Sequence, residues 1–328
     1  MLATFLVLVL LVVLYLAGPK VSVDTSFVSP DLPEDLDEYL RGVESRFTDI
    51  TPGAEKTIHW ADPQRKHKTP IAFVYFHGFS ATRQESMPVP QEIANHYGSN
   101  IFYSRLTGNG RGTEAMALGS VNTWVNDAAE ALAIAAEIGE RTVVIGCSTG
   151  ASLGWWTSHQ DQFKDQIAAL VFFSPNFGLA DPRGTLLTVR WGRQIAETVL
   201  GKYIEGEPAS EAHATYWATR YPTRALLPMM GMVKVARKIK PARCNNPVII
   251  FYSPYDDTVD AGRIQKFYQE LCCEKKCVTF DNPDARSQHV VIGDILAPHN
   301  NQRATDEVVT FLNNVLEPQH TAISDSQS

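Results

Sequence analysis

The chain has 328 residues, 44% of them hydrophobic, and a formal net charge of −7. That length and composition suit one large globular core with room for an inserted subdomain. The acidic balance, with no strongly basic block, argues against a nucleic-acid partner, whose phosphates call for a positive patch.

The first element is an apolar run, "LATFLVLVLLVVLYLA" at residues 2–17, which carries no charge. At about 1.5 Å per residue it is slightly short for a hydrocarbon core of roughly 30 Å. Gly18 and Pro19 lengthen it a little before Lys20. The first reading is a single membrane anchor, which gives membrane association through residues 2–17 and a globular part outside the cytoplasm. Its orientation is weakly specified, because no Lys or Arg precedes it. The second reading is a cleaved signal segment, leaving a secreted or periplasmic protein. Tyr15 and Leu16 sit where that reading wants small residues. A buried strand or helix is the third.

Residues 20–55 are rich in Pro and acid and read as a linker leading into a short helix near Asp35–Phe47. "EKTIHW" reads as an early strand. "IAFVYF", residues 71–76, is a continuous apolar run of the kind buried on both faces of a parallel sheet. A regular alternation follows. "VPQEIANHYG" predicts a helix, "NIFYSRL" a strand and "NTWVNDAAEALAIAAEIG" the clearest helix of the chain. Asn122 or Thr123 would cap that helix, and Val125, Ala129, Leu132 and Ala136 form its apolar stripe. "TVVIGC" reads as a strand, "GASLGWWTSH" as a helix and "IAALVFFSP" as another strand. Such alternation implies right-handed crossovers and a mostly parallel sheet.

The rhythm breaks after Pro175. Residues 176–242 hold helical stretches and no strong strand, so they read as a helical insertion or cap. The sheet resumes at "NPVIIFYSP", residues 246–254. A helix at "AGRIQKFYQELCC", a strand at "CVTFD" and a closing helix at "NQRATDEVVTFLNNVL" complete it. Residues 317–328 are a polar tail expected to be disordered. Of the five cysteines, Cys147 is expected to be a buried free thiol. One or two disulfides are expected, with no pairing assigned; a bridge among Cys244, Cys272, Cys273 and Cys277 would fit an exported location. "CCEKKC" lacks zinc-site spacing.

"GCSTG", residues 146–150, matches G-x-S-x-G with Ser148 at its centre. A buried-type strand precedes it and a helix follows, which is the context the motif needs. A tight strand-to-helix turn pushes Oγ outward. Gly146 and Gly150 remove side chains that would collide with neighbouring backbone. The Thr149 N–H, at a helix N-terminus, can face developing negative charge. A serine nucleophile needs a base. Among nine histidines, His289 in "DARSQHVV" follows the last predicted strand and belongs on a loop at the edge where Ser148 emerges. His299 is the spare. His159 points away from the start of the elbow helix, and His213 lies in the insertion.

The base in turn needs an orienting carboxylate. "FYSPYDDTVD" offers Asp256 first past the strand end, with Asp257 as the alternative acid. Asp260 suits a helix cap, and Asp284 is a weaker alternative. "YFHGFS", residues 75–80, supplies a second oxyanion donor. Gly78 lets backbone approach closely, and Phe79 gives a main-chain N–H. His77 reads as structural, holding that loop by hydrogen bonds.

From about Pro70 to Leu316 the chain resembles the α/β-hydrolase fold superfamily. Within it, the nearest look is that of serine carboxylesterases and the monoacylglycerol lipase or lysophospholipase group. The matching pieces are "HGF" at 77–79, "RLTGNGRG" at 105–112, "NTWVNDAAEAL" at 122–132, "GCSTG", "SPYDDTV" at 253–259 and "QHV" at 288–290. The resemblance implies a three-layer α/β/α sandwich with a mostly parallel eight-stranded sheet. It also implies a helical lid after strand six, and a triad of Ser148, Asp256 and His289 in that chain order. Two positions depart from the group. Asn109 stands where relatives often carry His in "GHG", and Cys147 where many carry His or another residue. Both loosen the transfer of substrate preference.

The expected division is an anchor or signal segment at 1–19, a linker at 20–55, core at 56–175 and 243–316, a lid at 176–242 and a tail at 317–328. The expected chemistry is two-step acyl transfer from a small-molecule or lipid ester to water, with no metal and no organic cofactor. Apolar insertion residues such as Leu186, Leu187, Trp217, Met229 and Met230 either line an acyl pocket or form the core side of lid helices. The rivals are a serine peptidase or amidase, a transacylase, and a non-catalytic membrane-tethered binding protein.

Overall fold

The computed structural model describes residues 1–281, 285 and 287–316. Asp284 and the tail at 317–328 lie outside the described residues. In chain order the elements are α1 (Leu2–Ala17), α2 (Leu36–Glu44), β1 (Thr57–His59), β2 (Thr69–Phe76), α3 (Val89–His96), β3 (Asn100–Tyr103), α4 (Val121–Ile138), β4 (Gly139–Cys147), α5 (Thr149–Thr157) and β5 (Ile167–Phe173). Then come α6 (Gly192–Leu200), β6 (Tyr203–Glu205), α7 (Glu211–Tyr216), β7 (Arg220–Pro222), α8 (Leu226–Ala236), β8 (Val248–Tyr252), α9 (Ala261–Glu270), β9 (Lys275–Thr279) and α10 (Asn301–Leu316).

Side-chain alternation along the strands builds two cores, because successive residues of a strand face opposite sides. Ala72, Val74 and Phe76 of β2 join Val144 of β4 and Phe172 of β5 on one side, where α4, α5 and α9 cover them. Phe73 and Tyr75 join Val143 and Ile145 on the other, under α3 and α10. The result is a three-layer α/β/α sandwich. Fully burying one such side chain contributes roughly 1.5–3 kcal/mol.

Among the described residues the main sheet has seven strands, ordered β1-β3-β2-β4-β5-β8-β9. Only β1 runs antiparallel to its neighbour. That is one strand fewer than the eight the resemblance implies. The lid-like insertion follows β5 and contains α6, α7 and α8. It also contains a feature the sequence did not reveal, the antiparallel ribbon of β6 and β7. Each of these strands is three residues long, too short for a two-residue period to register. Leu187, Met229, Met230 and Met232 belong to the first core, with α8 packed on α5; Leu186 is exposed.

The cap of α4 is Ser120, not Asn122 or Thr123. Ser120 Oγ accepts the Thr123 N–H at 3.0 Å, and Thr123 Oγ1 accepts the Ser120 N–H at 2.9 Å. That reciprocal pair satisfies two orphan amides of the first turn. The Asn122 amide instead donates to Ser26 O at 2.8 Å and holds the incoming chain. Asp260 caps α9.

No helix among the described residues is long and apolar enough to cross a membrane. The helix α1 is uniformly apolar but has only 16 residues, so it reaches roughly 24 Å against a hydrocarbon core of roughly 30 Å. This overturns the expected transmembrane helix, the membrane association through residues 2–17 and the location outside the cytoplasm inferred from that segment. The end of α1 meets the insertion, where Trp191 Nε1 donates to Leu14 O at 3.0 Å and the Trp191 N–H to Pro19 O at 2.8 Å. The expected disulfides are also absent: all five cysteines are free thiols. Cys244 and Cys273 share a thiol hydrogen bond that pushes Cys244 up in pKa and Cys273 down.

Candidate active site

Parallel strands bring their carboxyl ends to one edge, and the segments that follow β2, β3, β4, β5, β8 and β9 leave from it. Ser148 sits in the turn between β4 and α5, with φ +51° and ψ −115°. A positive φ is strained for a residue with a Cβ, and such strain clusters at functional turns. Backbone bonds hold it there. The Ser148 N–H donates to Phe173 O at 2.9 Å, and the Asn176 N–H donates to Ser148 O at 3.0 Å.

The glycines on either side admit close backbone approach. A Cβ on Gly150 would stand 2.1 Å from Phe76 O and 2.6 Å from His77 O, and one on Gly146 would stand 2.6 Å from the Ala151 Cα. Gly150→Ala is therefore expected to destabilise the fold by at least roughly 3 kcal/mol, the upper end for overpacking. Urea unfolding checks this, and an unchanged midpoint would contradict it.

The structure brings Ser148, His289 and Asp256 into one hydrogen-bonded series. Ser148 Oγ lies 2.9 Å from His289 Nε2, and His289 Nδ1 donates to Asp256 Oδ2 at 2.8 Å. Asp256 Oδ1 accepts the Thr258 and Val259 amides at 2.9 and 2.8 Å. Those two bonds fix the carboxylate plane. Its side chain is fully buried, while that of His289 keeps 16% exposure. Asp257 is exposed and meets only the Thr258 hydroxyl among the described residues. His299 is exposed on a turn before α10. His159 meets the Trp155 ring edge-on just past the end of α5, and His213 packs against Trp217 in the insertion.

The loop after β2 lies against the serine turn. A Cβ on Gly78 would meet the Ser148 Cβ at 3.3 Å. The Phe79 and Thr149 amides donate to no backbone acceptor among the described residues. His77 is buried, donating from Nδ1 to Gly78 O at 2.8 Å and accepting the Leu106 N–H on Nε2 at 3.0 Å. Both ring nitrogens are used, and burial pushes its pKa down to about 4, so the neutral ring ties two loops together. The second loop is braced in turn. Arg105 forks onto Glu44 at 2.8 and 2.7 Å, and Trp124 Nε1 donates to Thr107 O at 2.9 Å. The insertion reaches the site as well. The Ala218 N–H donates to Ser80 O at 2.7 Å, and the Tyr221 ring meets Phe79 edge-on at 5.3 Å.

Sequence reasoning missed Glu85, which is 2% exposed. Its Oε1 accepts the Gly78 N–H at 2.6 Å and the Tyr75 hydroxyl at 2.8 Å. Burial pushes its pKa up to about 7, against the pull of Gly78, Tyr75, His289 and Cys147. Burial and Glu85 together raise the Cys147 thiol. The folded chain thus binds a proton that the unfolded chain has released between about pH 4.5 and 7. The contribution to stability is full below about 4.5 and is lost as pH rises through about 7. For His77 the sense is opposite: its contribution is present above about 6.5 and is lost as pH falls through about 4. Glu85→Gln removes the first effect alone. Over pH 4.5 to 7.5 the stability of the native chain relative to Glu85→Gln should fall by roughly 3 kcal/mol. Urea melts at both ends check this, and parallel profiles would contradict it.

Among the described residues, no group of three or more His, Cys, Asp or Glu is arranged to hold a metal ion. No family model and no curated protein matches the chain. Solved structures do share its fold. One, reported for LipS and LipT, two metagenome-derived lipolytic enzymes, superposes with a TM-score of 0.66 at 20% identity, over 81% of this chain and 99% of that one. Est1E from Butyrivibrio proteoclasticus, with ferulic acid bound, gives 0.53 at 17%, over 80% and 95%. A monoacylglycerol lipase from Paleococcus ferrophilus gives 0.53 at 15%, over 79% and 99%. At such identities the likeness is one of fold. The chain has the α/β-hydrolase fold that esterases and lipases of several kinds share.

Proposed function

We propose that the chain is a serine hydrolase that cleaves carboxylic esters through an acyl-enzyme. In this reading it is a carboxylesterase of lysophospholipase or monoacylglycerol lipase type, acting on lipid-like esters. Residues 56–175 and 243–316 form its core, and 176–242 its lid. The observation that carries the reading is the series from Ser148 Oγ through His289 to Asp256, at 2.9 and 2.8 Å.

Ser148 Oγ attacks the ester carbonyl carbon while His289 Nε2 takes its proton. The carbonyl oxygen gains negative charge and faces the Phe79 and Thr149 amides; one such donor typically provides about 3 kcal/mol of transition-state stabilisation. Asp256 holds the imidazole in the tautomer that leaves Nε2 able to accept. His289 then protonates the departing alcohol. Water, deprotonated by the same ring, attacks the acyl carbon, and Ser148 recovers its proton as the acid leaves. The choice of lipid-like esters draws support from the aromatic pair of Phe79 and Tyr221 beside the serine turn and from fold relatives named for lipolysis.

The test is a panel of p-nitrophenyl esters of increasing acyl length, with matched anilides. The reading expects ester turnover well above anilide turnover, and kcat/KM rising from acetyl to longer chains. A flat response to length removes the lipid-like part. No ester turnover at any length removes the whole.

A further inference from the structure

We propose that Glu85 is a positioning residue that locks the oxyanion loop against the nucleophile turn and the histidine loop. The assignment rests on the hydrolase reading above. Glu85 lies on a short turn, Arg83–Glu85, that leads into α3. Three connections leave it, one to each part of the site.

The first goes to the oxyanion loop. Glu85 Oε1 takes the Gly78 N–H at 2.6 Å, the amide just before Phe79. A Cβ on Gly78 would stand 3.0 Å from Glu85 Oε2 and 3.3 Å from the Ser148 Cβ. Gly78 is therefore packed closely against both this carboxylate and the nucleophile, and the Phe79 amide is hinged on a residue with little room to move. The second connection goes to the nucleophile turn, where the Glu85 carboxylate and the Cys147 thiol act on each other: burial and Glu85 push the thiol up in pKa. The third goes to the histidine loop through backbone. A Cβ on Gly293 would stand 2.1 Å from Glu85 O, and the Asp294 N–H donates to Met87 O at 2.9 Å.

A buried carboxylate is costly to retain, and an apolar residue would serve a merely structural turn at less expense. The chemistry explains why an acceptor stands here. The Gly78 N–H is buried and points at Glu85 Oε1. Without an acceptor it would turn towards water or the carbonyl oxygen of Phe76, and the peptide that carries the Phe79 N–H would turn with it. An oxyanion donor contributes only when it is already aimed. Tyr75 holds the carboxylate from β2 at 2.8 Å, so the brace is itself braced.

The test compares Glu85→Ala, Glu85→Gln and Glu85→Asp in the full chain, with rates referred to sites titrated by a fluorophosphonate. Alanine should lower kcat by about 10²-fold with KM within a few-fold, as for loss of one oxyanion donor. Glutamine keeps a neutral acceptor and should lose only up to about tenfold. Aspartate, shorter by one methylene, should fall nearer to alanine. Wild-type kcat per titrated site in every folded variant would overturn the proposal, as would equal losses in alanine and glutamine. If alanine does not fold, the glutamine and aspartate values decide by the same criterion. Absence of both turnover and Ser148 labelling in the unmodified chain would instead refute the hydrolase reading.

Discussion

Replacing Ser148 with alanine is expected to lower kcat for ester hydrolysis by roughly 10⁶-fold while the chain stays folded, because the nucleophile and its base act as one unit. The structure separates the two effects. What holds the turn is backbone: the Ser148 N–H on Phe173 O and the Asn176, Ala151 and Ser152 N–H groups on Ser148 O. Alanine keeps all four bonds and the same positive φ. It removes only Oγ, which lies against His289 Nε2. Stability should therefore change by less than about 1 kcal/mol. His289→Ala should cost about as much activity, and the double variant little more than either alone, since nucleophile and base transfer the proton only together. Initial rates on one ester, beside urea melts, check the pair. Residual activity of a tenth or more in a folded Ser148→Ala chain would contradict the assignment.

Asp256→Asn should lower kcat by roughly 10⁴-fold, the size expected when the base is held in the wrong tautomer. The direction follows from the hydrogen bonds. Oδ1 is committed to the Thr258 and Val259 amides, which can only donate, so the oxygen of the new amide must take that place. Its NH₂ then replaces Oδ2 and faces His289 Nδ1. Nδ1 becomes the acceptor, the proton moves to Nε2, and Ser148 faces a donor where it needs a base. Geometry should hardly change, so KM should stay within a few-fold. Asp257→Asn is the companion: its side chain is exposed and bonds the Thr258 hydroxyl, while His289 Nδ1 is bonded to Asp256. A large loss in that variant with none at Asp256 would reverse the assignment of the two acids.

Strand-helix alternation and the serine turn were legible because both are local. The seven strands of the main sheet appear in sequence as short runs, most of them apolar, between turn residues, and the elbow as five residues between a strand and a helix. His289 was legible by topology, since the loop after the last strand must return to the edge where Ser148 emerges. The two acids of "PYDDT" were not separable by composition. Their difference lies in which carboxylate receives the amides of its own turn. Glu85 was invisible for a stronger reason: "TRQES" is a polar run, and nothing within it says that one carboxylate is buried beneath a glycine. The ribbon of β6 and β7 was missed because three residues are too few to show a period. The α1 segment misled in the other direction. Its apolar composition is that of a span, but its length is not, and length decides whether a helix can cross.

The most direct test of the central claim is covalent. The native chain is treated with a fluorophosphonate, and its peptides are mapped by mass spectrometry. The account predicts one adduct, on Ser148, absent in Ser148→Ala and formed far more slowly in His289→Ala. No adduct under conditions that label a known serine hydrolase, or an adduct at another residue, would contradict it.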